Sequence, residues 1–172
     1  SSIENYTEEY FKSDTDLAGI ICDYDDLEIP AKLVRLKELV EEFSIRKEKL
    51  VIWANFIGAL ELLSREIMNM GLNCKMIYGR TPTIESFENG EETREQIRDE
   101  FVAKDSGLDI LIANPAACSE SISLHKTCFH AIYYDLSFNC AQYLQSLDRI
   151  HRIGGSEINQ ANYYFLQYEN SI

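Results

Sequence analysis

From Ala31 onward the apolar positions fall at spacings of three and four. Leu33, Leu36, Leu39, Val40 and Phe43 mark one face of an amphipathic helix over 31–47. The next apolar run, Leu50 to Ala54, does not alternate, which is how a strand buried on both faces reads. Asn55 then offers a helix cap, and Leu60, Leu63, Ile67 and Met70 carry a second helix to a stop at Gly71. A strand over Cys74–Tyr78 and a loop over 79–90 follow. Next come a helix over Glu91–Lys104 with Ile97 and Phe101 inward, and a buried strand over Asp109–Ala113. Residues 114–128 are irregular; Phe129–Tyr134 reads as a fourth strand, 140–152 as a helix and Asn162–Gln167 as a last strand. Strands alternating with helices predict an α/β fold of three layers, a mostly parallel sheet with helices on both faces. Residues 1–30 lack this periodicity and end at Pro30, so they read as an acidic lead-in or linker ahead of a domain over 31–172.

In open parallel sheets ligands bind beyond the carboxyl ends of the strands. That edge carries Asn55 and Phe56, Gly79 and Arg80, Asn114 to Glu120, and Asp135 to Asn139. Trp53 lies inside its strand and reads as core, and Tyr133 and Tyr134 are strand residues in the same way. The stretch from Gln142 to Gly154 is more unusual. Tyr143, Leu144, Leu147 and Ile150 take one side of a helix, and Gln145, Arg149 and Arg152 take the other at spacings of four and three. Arginine binds phosphate in a forked geometry and keeps its charge, so this face reads as a device aimed at an anion. A solvated amphipathic helix has the same pattern.

Composition narrows the chemistry. The 172 residues are 45% hydrophobic, and no apolar run reaches the roughly 18–20 residues that a membrane span needs. No basic-then-apolar leader opens the sequence, and the five cysteines are odd in number and irregularly spaced. Together these give the expectation of reduced thiols in a cytoplasmic protein without a membrane partner. Cys118, His125, Cys128 and His130 admit a zinc reading, but they lack a tight ligand knuckle, and buried small cysteines are the alternative, so no metal site is expected. The net charge of −13 speaks against nucleic acid, yet it is uneven: residues 1–30 hold nine acids and one lysine, leaving the remainder only mildly acidic. No GxxxxGK[ST] loop, no GxGxxG after the first strand and no GxSxG elbow are present. An arginine pair without a phosphate cradle fits a residue set that completes a site built by another domain.

The run QSLDRIHRIGG resembles the last signature motif of the superfamily-two helicase-like ATPases of the Swi/Snf type, with Gln145, Asp148, Arg149, His151, Arg152 and Gly154 in the frame. The stretch DILIANPAACSESISLHKTCFHAIYYDLSFN is similar to the family's strand, glycine-rich loop and strand ending in Asp. The resemblance covers about residues 31–168. It implies the second, C-terminal RecA-like lobe of a P-loop NTPase-type motor. ATP and Mg²⁺ would then be held mainly by a first, N-terminal RecA-like lobe that this sequence does not contain. Arg149 and Arg152 become the arginine fingers, and Gln145, Asp148, Glu120 and Gly154 the ATP-facing residues. Asn55, Phe56, Gly79, Arg80, Asn114, Pro115, Ala116 and Ser119 become contacts to nucleic acid, double-stranded DNA by the habit of the family. For each loop residue, turn geometry or capping is the plainer role. The sequence departs from the family pattern in two ways: Cys118, Ser119 and Ser121 stand where it carries glycines, and Gly155 stands in place of its glutamine. A catalytically inactive interaction module with the same fold, and a free-standing α/β enzyme acting on a small substrate, are the competing readings.

Overall fold

The computed structural model describes residues 30–84, 90–118, 123–136, 139–150 and 160–169. The chain divides into two compact units, Ser1–Val34 and Arg35–Ile172, and the second contains the sheet. The elements in order are α1 (Ala31–Arg46), β1 (Lys49–Trp53), α2 (Ile57–Asn69), β2 (Cys74–Ile77), α3 (Arg94–Val102), β3 (Ile110–Ala113), β4 (Cys128–Tyr133), α4 (Cys140–Leu147) and β5 (Asn162–Phe165). The strands lie in the order β2-β3-β1-β4-β5, and every neighbouring pair is parallel. The predicted doubly covered parallel sheet is therefore the observed one.

The central strand explains the core. Leu50, Val51, Ile52 and Trp53 are all fully buried, as befits a strand with a helical layer on each side. Alternation sends Val51 and Trp53 to one face, where they join Ile97 and Phe101 of α3 and Ile150 beyond α4. On the opposite face the Phe43 ring of α1 packs 4.5 Å from His130, the residue paired with Leu50.

Helix ends follow local chemistry. The Gly71 stop of α2 is a left-handed turn at φ 77°, with Leu72 N–H bonded to the Ile67 carbonyl and Gly71 N–H to that of Met68. Helix α1 ends in the same motif, but Lys47 holds the left-handed position at φ 56°, which costs roughly 1 kcal/mol relative to glycine. Helix α3 starts later than its apolar pattern predicted, at Arg94, because Thr93 and Gln96 form a reciprocal capping box.

Two sequence expectations need correction. Asn55 does not cap α2: Phe56 occupies the cap position without a side-chain bond, and the Asn55 amide is used elsewhere. The register of β4 shifts between the pairs Lys49–Cys128 and Leu50–His130. Cys128 therefore joins the core on the α3 face while His130 stacks on Phe43 across the sheet, although alternation alone would place them together. Among the described residues, no three His, Cys, Asp or Glu side chains converge as metal ligands, and no helix is long and apolar enough to cross a membrane.

Candidate nucleotide and nucleic-acid site

All five parallel strands end at one edge, and three of the loops there are tied together by side chains. The Asp135 carboxylate, just beyond β4, accepts from the Asn55 backbone N–H at 2.7 Å and also from the Asn55 side-chain amide. The Asn114 amide, just beyond β3, donates to the Asn55 carbonyl at 2.8 Å, and its oxygen accepts from Ala116 N–H at 2.9 Å. An acid and two amides thus join the ends of β4, β1 and β3 in one network. The loops of this edge are set by fixed side-chain bonds.

The end of β2 is held differently. The Arg94 guanidinium donates to four backbone carbonyls: Thr81 at 2.8 Å, Ala117 at 2.9 Å, Gly79 at 3.1 Å and Tyr78 at 3.3 Å. Its backbone N–H adds a bond to the Pro82 carbonyl at 2.9 Å. One residue therefore joins the loop after β2 to the loop after β3.

Helix α4 is positioned by the sheet. Asn139 caps it, accepting from Ala141 N–H and Gln142 N–H. The Tyr133 hydroxyl meets Ser146 Oγ at 2.6 Å inside the protein, and the Tyr163 hydroxyl donates to the Leu147 carbonyl at 2.9 Å. Burial raises both tyrosines, Tyr163 to about 12, so both hydroxyls stay protonated. The helix ends at Leu147, short of the 140–152 that periodicity predicted, and a turn over 148–150 follows. Arg149 lies in that turn, half-buried, with its carbonyl accepting from Leu124 N–H at 2.9 Å, while Ile150 is in the core. The predicted apolar stripe is only partly packed. Leu144 is 54% exposed, and the small polar Ser146 is the residue buried against the sheet.

Cys118 marks where these pieces meet. Burial pushes its thiol up to about 12, and the positive charges of Arg149 and Arg94 pull it the other way. Both arginines are thus close enough to act on one buried sulfur at the end of the β3 loop. Burial likewise pushes Cys128 to about 12, whereas Cys140 is exposed. Iodoacetamide at about pH 8 is expected to alkylate Cys140 in the native protein and to reach Cys118 and Cys128 only on unfolding. Peptide mass mapping distinguishes the three sites. Native-state labelling of Cys118 would mean that the β3 loop is not packed as described.

The other sequence candidates divide as follows. Gly79, Arg80, Phe56 and Ala116 are exposed at the ligand edge, with Phe56 at 69%. Asn55 and Asn114 are half-buried and engaged in the network above. Pro115 is buried, and its carbonyl accepts from Cys118 N–H, so it shapes the loop and does not present its ring. Gln145 and Asp148 are exposed on α4 and the turn after it. Glu120, Ser119, Arg152 and Gly154 lie outside the described residues. Asp135 was placed at the edge by sequence but given no role, and Arg94 was missed. A cation on the first turn of a helix, where the dipole disfavours it, is the signal that points to Arg94.

Comparison with known proteins gives a consistent family. The helicase conserved C-terminal domain matches residues 31–154. The SNF2 domain-containing protein CLASSY 4 of Arabidopsis thaliana is 27% identical over 124 residues, covering 70% of this chain and 11% of its own length. The ATP-dependent helicase fft1 of Schizosaccharomyces pombe is 27% identical over 143 residues, covering 83% of this chain and 14% of its own. This chain therefore spans only a small part of those relatives. Among solved structures, the C-terminal part of the Fun30 ATPase domain superposes with a TM-score of 0.69 at 23% identity, covering 95% of this chain and 55% of that one. The Pyrococcus furiosus Hef helicase domain superposes with a TM-score of 0.62 at 18% identity, covering 95% of this chain and 31% of that one, and both show the shared fold. With its parallel sheet and its Asp-Arg-x-His-Arg-x-Gly run, this chain belongs to the helicase conserved C-terminal domain family, as a second RecA-like lobe of the Swi/Snf type.

Proposed function

We propose that this domain is the moving half of an ATP-dependent DNA translocase. In this reading a first RecA-like lobe of the same protein holds ATP and Mg²⁺, and closure brings Arg149 and Arg152 against the terminal phosphate. The observation that carries it is the placement of Arg149. Tyr163 of the sheet holds the backbone before it, Leu124 of the loop ahead of β4 holds its own carbonyl, and Ile150 after it is in the core, while the neighbouring Gln145 and Asp148 are exposed. Phosphoryl transfer needs charge stabilised on the equatorial oxygens, and a guanidinium supplies two aligned donors with a permanent charge. Gln145, Asp148, Glu120 and Gly154 would complete the nucleotide face. Supplying arginines from a separate lobe ties hydrolysis to closure.

Nucleic acid would then lie along the carboxyl edge of the sheet. Exposed Gly79, Arg80, Phe56 and Ala116 would face it there, and Asn55, Asn114 and Pro115 hold the loops that present these groups; Ser119 is proposed as a further contact from the sequence alone. Contacts of this kind grip phosphates and read no bases, as motion along duplex DNA requires. A cytoplasmic chain with reduced thiols remains the expectation from composition.

The test is hydrolysis by the full-length protein with and without duplex DNA, beside the 172-residue chain alone. Stimulated turnover by the full-length protein and none by the isolated chain is expected. Turnover by the isolated chain, or no stimulation of the full-length protein, would overturn this reading.

A further inference from the structure

The Arg94 cluster has no part in the roles assigned so far, and its placement is costly. Arg94 is the first residue of α3, where a cation opposes the helix dipole. The helix gains nothing there from a positive charge, since Thr93 and Gln96 already satisfy the cap. What the guanidinium does instead is collect carbonyls. Tyr78, Gly79 and Thr81 come from the loop after β2, and Ala117 comes from the loop after β3. These loops carry exposed Gly79, Arg80 and Ala116. Hydrogen bonds to an ionised donor are the strong ones, and a planar fork fixes the direction as well as the distance of its acceptors.

We infer that Arg94 is a positioning residue for the nucleic-acid track. It holds the β2 and β3 loops at a fixed separation, so that their exposed groups meet successive phosphates together. This rests on the translocase reading for the identity of the ligand, and on the hydrogen bonds alone for the tether. Backbone bonds from Arg94 N–H to the Pro82 carbonyl and the capping box at Thr93 do not depend on the guanidinium, so the domain keeps its fold when the side chain is changed.

Arg94→Lys in the full-length protein is the test, since it keeps the charge and loses the fork. Arg98→Lys, on the same helix and paired with Asp99 at the surface, is the control. Two measurements are made. In amide hydrogen exchange, Thr81, Ala117 and Cys118, whose N–H groups bond within these loops, are expected to exchange about tenfold faster in Arg94→Lys, with β1 unchanged. In DNA-titrated hydrolysis, the half-saturating DNA concentration is expected to rise about tenfold, with kcat at saturating DNA within about twofold and KM for ATP unchanged. A purely structural role would lower the unfolding midpoint without that split. Unchanged exchange overturns the tether, and faster exchange with unchanged half-saturation overturns the track role. A fall in kcat alone would assign Arg94 to the arginine site instead. A wild-type protein without DNA stimulation removes the translocase reading and the track role with it, while the exchange result still decides the tether.

Discussion

Replacing Arg149 with alanine in the full-length protein is expected to lower DNA-stimulated ATP hydrolysis by about 10³–10⁵-fold, the range an inserted arginine supplies to phosphoryl transfer. The fold should survive, because what anchors this turn is backbone and core. The Arg149 carbonyl accepts from the Leu124 N–H, the Tyr163 hydroxyl donates to the Leu147 carbonyl, and Ile150 is buried with Ile97 and Phe101. None of these uses the guanidinium. The kinetic pattern matters more than the size of the loss. An interaction made only in the transition state lowers kcat and kcat/KM together and leaves KM for ATP nearly unchanged. Arg149→Lys should recover part of the rate, since it restores a charge but not two parallel donors. Wild-type turnover by Arg149→Ala would remove the finger assignment. A rise in KM with unchanged kcat would make Arg149 a ground-state binding residue instead.

The sheet could be read from the sequence because buried parallel strands leave a local record. The Leu50–Ala54, Cys74–Tyr78 and Asp109–Ala113 predictions each match a strand within a residue or so, and the Gly71 stop is where the φ 77° turn lies. What failed was decided at long range. Asn55 has the local chemistry of a helix cap, but its amide binds Asp135, 80 residues away, and nothing near Asn55 announces that partner. Leu144, expected on the packed face, is exposed while Ser146 is buried, because α4 faces a sheet lined with Tyr133, whose hydroxyl needs a polar neighbour. Cys128 and His130 were separated by a register shift that depends on the pairing with β1. Arg94 was hidden among the acids Glu91, Glu92 and Glu95, where a lone base reads as ordinary surface charge. The run from Gln145 to Gly154 carries the family resemblance for the opposite reason, since all of its residues lie in one short stretch.

Trp53→Ala is expected to cost about 3–5 kcal/mol of stability. Trp53 closes the central strand, is 0% exposed, and is paired in register with Ala113 on one side and Tyr133 on the other. Its ring belongs to the cluster that holds α3 through Ile97 and Phe101 and the end of α4 through Ile150. Because the backbone of a central strand is pinned on both sides, the neighbours cannot collapse into the space, and most of the cavity persists. A domain with about 5–15 kcal/mol of total stability would be left marginal. The indole makes a sharper test possible. Its Nε1 finds no acceptor among the described residues, and a buried donor without a partner is itself destabilising. Trp53→Phe removes that donor and keeps most of the ring, so its loss should stay under about 1.5 kcal/mol. Urea unfolding of the two variants measures both values. Equal losses for Phe and Ala would mean that the indole N–H is satisfied and that the packing described around Trp53 is wrong. A small loss for Ala would mean that the sheet can close around the gap. Because Ile150 shares this cluster and adjoins Arg149, Trp53→Ala should also lower turnover by any folded full-length protein, whereas Trp53→Phe should leave it near wild type.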